Sequence, residues 1–90
     1  MIDLTDIDNP VAEDVWNYID SEGNDINSKI IVGKPVQVNQ SEWYCPVLIE
    51  NYTDRIVPAY GTGAVDALMN AMILVKSFFD KIYKLSLIHI

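Results

Sequence analysis

Trp43-Tyr44-Cys45-Pro46-Val47-Leu48-Ile49 decides how the rest of the chain is read. Its alternation puts Trp43, Cys45, Val47 and Ile49 on one face of a strand, expected over 42–51. Pro46 brings no N–H to a ladder, so this strand is expected to be an edge or to carry a bulge at that point.

Working outward toward the N-terminus, Asp20-Ser21-Glu22-Gly23-Asn24-Asp25 is dense turn chemistry, and Ile26, Ser28, Ile30 and Val32 alternate after it. Residues 11–19 alone fit either a helix opened by Pro10 or a strand rich in Val15, Trp16, Tyr18 and Ile19. The turn decides for a hairpin, with strands at 14–20 and 25–33. Gly33-Lys34-Pro35 ends the second strand, because proline cannot donate and restricts the residue before it. Asn39-Gln40-Ser41 then reads as loop.

On the other side, Tyr52-Thr53-Asp54 turns the chain into a short strand at 55–60, stopped near Pro58. Gly61-Thr62-Gly63 breaks the pattern before a helix expected over 64–84. Val65, Leu68, Met72, Val75, Phe79 and Ile82 form a stripe at helical spacing. Thr62 is placed to cap the first turn, Asp66 to meet the positive end of the helix dipole, and Lys81 and Lys84 the negative end. The expected fold is therefore α+β: an antiparallel sheet of about four strands with one long C-terminal helix on one face. Its core is expected to be Trp43, Cys45, Val47 and Ile49 against Val65, Leu68, Met72, Val75 and Phe79.

Ninety residues suffice for one such core. Residues 1–12 read as a flexible acidic arm and 13–84 as the single domain. No apolar run is long enough to span a membrane, and the N-terminus lacks the charged and apolar regions of a signal peptide. One cysteine makes no internal disulfide, which fits a reducing compartment, so a cytoplasmic location is expected. Leu85-Ser86-Leu87-Ile88-His89-Ile90 continues neither the stripe nor a cap. It matches the translation of a transposon-end adapter used in sequencing libraries, so 85–90 is set aside as non-native, with native residues expected beyond Lys84.

The net charge of -7 is uneven, because eight acidic residues precede the first basic one, Lys29, while residues 26–90 sum to +1, with six basic and five acidic residues. Such a chain repels nucleic acid and anionic lipid, which are held by Lys and Arg. Asp14, Asp20, Glu22 and Asp25 are the candidate interaction face for a basic protein partner. A solvated, solubilising stretch is the plainer reading of the same charges.

Candidate chemistry is thin. Cys45 has no base nearby, since the sole histidine is His89 in the tail, and it reads better as core than as nucleophile. One Cys and one His cannot supply the usual zinc ligands. Asp20, Glu22, Asn24 and Asp25 lack calcium-loop spacing, and no spacing selects a carboxylate pair for acid–base work. Gly61-Thr62-Gly63 fits no phosphate-binding pattern and reads as a helix start. Trp16, Trp43, Tyr44, Tyr52 and Tyr60 read as core or cross-strand aromatics in preference to a groove. No cofactor or metal is expected.

Ile31-Val32-Gly33-Lys34-Pro35, Trp43-Tyr44-Cys45-Pro46, and Val65-Asp66-Ala67-Leu68 leading Asn70-Ala71 into a helix together resemble DUF6968. This is a family of small bacterial domains of unknown function, and the resemblance runs from about Val15 to Tyr83. It implies strands followed by a helix, and it carries over no catalytic residue. The expected function is a non-enzymatic protein-interaction module, immunity-like or inhibitor-like. The alternatives are a small-ligand domain or enzyme using an aromatic pocket near Trp43 and Cys45, and a homodimer formed through the second sheet face.

Overall fold

The computed structural model describes residues 6–85. Five strands precede one helix: β1 (Pro10–Ile19), β2 (Asp25–Gly33), β3 (Val36–Asn39), β4 (Glu42–Ile49), β5 (Val57–Gly61) and α1 (Ala64–Leu85). All strand pairs are antiparallel, and the fold is the expected α+β arrangement of a sheet with a helix packed on it. The segment open to two readings, 11–19, is strand. β1 begins at Pro10, so the last three residues of the expected arm belong to the sheet. Residues 1–5 of that arm and 86–90 of the expected tail lie outside the described residues, while Leu85 closes α1.

The sheet is four positions wide although it has five strands. β5 pairs with residues 43–47 of β4, which overlap the partners of both β3 and β2, so β2 and β3 lie end to end along the other edge of β4. The sequence gives no strand between 33 and 42 and Asn39 reads there as loop; Val36–Asn39 is a separate short strand, because Gly33-Lys34-Pro35 interrupts the line without ending it. β4 is consequently interior, and Pro46 sits at an irregularity. Val32 pairs with Val47 and Val36 with Tyr44, leaving three residues opposite Cys45 and Pro46.

The chemistry of that interruption is specific. The Glu50 N–H donates to the Lys29 carbonyl at 3.0 Å, and antiparallel rungs alternate, so Gly33 opposite Pro46 is a rung where hydrogen bonds are due. Pro46 has no N–H to give. The Cys45 thiol donates to the Gly33 carbonyl instead, at 3.2 Å. Gly33 is required there, because a Cβ would stand 2.5 Å from Pro46 Cγ and 2.9 Å from Ile7 Cγ2.

The core lies between one sheet face and α1. It contains Ile30 and Val32 of β2, Cys45, Val47 and Ile49 of β4, and Ala67, Ala71, Val75, Phe78 and Ile82 of α1. Trp43, Leu68 and Phe79 are partly buried against it. Val65 and Met72, expected inside, are 71% and 47% exposed. The buried stripe is rotated because Ala67 and Ala71 let the helix approach the sheet closely. At Gly61 a Cβ would collide with the backbone of Asp66 and Ala67.

Candidate interaction surface

The acidic residues singled out in the sequence do not form one face. Asp14 and Asp20 are six residues apart on an extended strand, about 20 Å. Asp20 shapes the hairpin: its carboxylate accepts from the Glu22 and Asn24 N–H groups, both at 2.9 Å, and from Asn24 Nδ2 at 3.3 Å. These bonds, the Asn24 N–H foremost, hold its carboxyl below the ordinary value. Glu22 and Asp25 are exposed at the same turn. Asp14 accepts from the Val15 N–H at 2.8 Å and from Trp16 Nε1 at 3.2 Å. Glu13, not singled out, faces Lys29 at 3.8 Å.

The aromatic residues also divide. Trp16 packs against Phe79 with tilted rings and centroids 4.3 Å apart, and Tyr18 and Tyr52 meet Phe78 at 6.0 and 5.3 Å. Tyr44 and Tyr60 meet each other on the opposite sheet face at 6.5 Å. Cys45 is wholly buried, and burial pushes its thiol pKa up. A cleft of about 160 Å³ lies between the β1–β2 turn and the end of α1, over Tyr52, Phe78 and Ile82. Lys81 Nζ stands 5.3 Å from the Tyr52 ring there. Neither Trp43 nor Cys45 lines this cleft. On the second sheet face, residues 6–9 lie near Pro46, Tyr44 and Lys34, and the Lys34 N–H donates to the Asn9 carbonyl at 2.8 Å.

The start of α1 uses its polar groups internally. Asp66 Oδ2 accepts from the Thr62 N–H at 2.8 Å and its hydroxyl at 3.3 Å. The Ala67 N–H donates to the Gly63 carbonyl, so Gly63 is the capping residue and Thr62 stands one place before it.

Two surfaces missed in the sequence remain open. The outward face of α1 carries Val65, Met69, Met72 and Ile73, the first, second and last of which are 71%, 60% and 63% exposed. Their spacing of four, three and one places them on one side of the helix, opposite Ala67 and Ala71. The second surface is the free edge of β1, which among the described residues pairs with β2 alone.

Among the described residues no helix is long and apolar enough to cross a membrane. The chain matches no family model, no curated protein and no solved structure.

Proposed function

We propose that the chain is a non-enzymatic protein-interaction module, immunity-like or inhibitor-like, that engages a basic protein partner. The observation that carries this reading is the row Val65, Met69, Met72 and Ile73, four large apolar side chains held outward on one rigid helix. Contiguous apolar surface on a small protein is characteristic of contact with another macromolecule, and methionine adapts to a partner's shape. The surplus of negative charge steers a basic partner toward it. The one candidate nucleophile supports the same view, because Cys45 is enclosed, aimed at a carbonyl and shifted away from thiolate formation.

The test is affinity capture with the full chain beside a Met69→Lys/Ile73→Lys variant whose unfolding midpoint matches the wild type. The reading expects a basic protein retained by the wild type and lost from the variant. Recovery of the same proteins by both, or of none by either, overturns it.

A further inference from the structure

We propose that the free edge of β1 docks an extended, positively charged segment of the partner, which adds to the sheet as one more strand. This rests on the interaction reading above and gives the partner segment its chemistry.

The direction of the backbone groups follows from the hairpin. The Asp20 N–H donates to the Asn24 carbonyl at 3.0 Å. Counting back in twos along the register, Tyr18, Trp16 and Asp14 bond to β2, while Glu13, Val15, Asn17 and Ile19 direct their N–H and C=O groups outward. The Asp14 carboxylate on the Val15 N–H marks that outward direction. An extended peptide supplies partners for such a row, which is how strand addition gains its main-chain hydrogen bonds.

The opposite edge of the sheet is sealed. Pro58 pairs with Pro46 across the β4–β5 ladder and has no N–H to offer outside it. The Tyr60 carbonyl accepts from Asn70 Nδ2 at 2.7 Å, so a helix side chain covers the next outward position. β5 has five residues, against ten in β1.

Charge selects the occupant. Side chains alternate along β1, so an added strand meets Glu13 and the half-exposed Val15 on one face, and Asp14 beside the Trp16 indole on the other. Among the described residues Lys29 is the one cation paired with this row. A second copy lying antiparallel about Asp14 would set Asp14 opposite its own counterpart and Glu13 diagonal to its own, and like charges on neighbouring strands repel. Lysine or arginine alternating with apolar residues sets its cations beside Glu13 on one face and its apolar side chains against the Trp16 indole on the other. Acidic side chains guard the edge against its own kind and favour the opposite sign.

The test uses a blocked ten-residue peptide alternating Lys and Val, its Glu-for-Lys counterpart, and the full chain followed by amide NMR. The Lys peptide is expected to bind, to slow exchange of the Asn17 and Ile19 amides by about tenfold or more, and to weaken with salt. The Glu peptide is expected not to bind. Asn17→Pro removes an outward donor and no ladder bond, so it is expected to abolish binding at an unchanged unfolding midpoint. Should that variant unfold, Glu13→Lys/Asp14→Lys is read in its place, with preference expected to switch to the Glu peptide. Binding that protects other amides, binding that survives Asn17→Pro, a charge reversal without a switch, no binding, or a peptide-free dimer protected along β1 overturns the proposal. Failure here, with the capture that depends on Met69 and Ile73 intact, removes the edge and leaves the interaction module standing.

Discussion

On α1 the residues turned toward the sheet begin with Ala67 and Ala71, both fully buried, while those turned away are the larger Val65, Met69, Met72 and Ile73. Apolarity alone does not sort these two faces; the room available does. At its start the helix lies so near β5 that Gly61 has no space for a Cβ against Asp66 and Ala67. Toward its end the contact widens, and Phe78 fills it with Tyr18, Tyr52 and Phe79 around its ring. Close packing therefore favours small residues at one end and one large ring at the other. The bulky side chains left over face outward.

The sharpest way to break this comparison is at Phe78, which is 1% exposed. Phe78→Ala is expected to cost about 3–5 kcal/mol in urea unfolding, through lost transfer energy and the cavity left behind. Cys45 sits in the same core, so its labelling by a thiol reagent should follow global opening and quicken roughly 10²- to 10⁴-fold in that variant. Labelling of the wild type as fast as a free thiol would place Cys45 outside the core. Ala71→Leu comes next, at about 1–3 kcal/mol of overpacking. Its counterpart Met72→Ala, one residue on and half-exposed, should stay within about 0.5 kcal/mol. A reversed order for these two would show that the faces have been assigned the wrong way round.

The smallest effect lies away from the helix and sharpens the comparison by leaving it untouched. Asp20 has a carboxyl pKa lowered in the folded chain, chiefly by the Asn24 N–H. A lowered folded value adds stability above the unfolded value, ordinarily 3.8, and that stability is lost as pH falls through the folded value. Asp20→Asn should flatten the acid limb of a stability–pH curve below about pH 4, with the ranking of Phe78, Ala71 and Met72 variants unchanged.

The hairpin, the interior strand and the helix were legible because each combines a clear period with a marked boundary. β2 runs from Asp25 to Gly33 as the alternation and turn imply, and α1 starts at Ala64 after Gly61-Thr62-Gly63. β3 was not legible. Four residues give too little alternation, and Gly33-Lys34-Pro35 resembles an ending when its purpose is to accommodate Pro46. The inward face of α1 is only partly legible because the apolar residues wrap most of the helix: Val75 and Ile82 of the expected stripe are buried, while Val65 and Met72 at its margin turn outward. Periodicity gives the larger residues of the first turns as the buried ones, whereas the sheet there has room only for Ala67 and Ala71. The open edge was hidden for a related reason: Asn9-Pro10 reads as a break, yet proline is tolerated at the first residue of a strand.

Pro58 and Asn70 have one further consequence. Ribbons and fibrils lengthen only when every added unit presents a fresh rim to its successor, and such growth needs two receptive borders per molecule. With the β5 border blocked by an imino acid and a carboxamide, a molecule joined through β1 hands on only the four-residue outer rim of β3, too short to carry a ribbon onward.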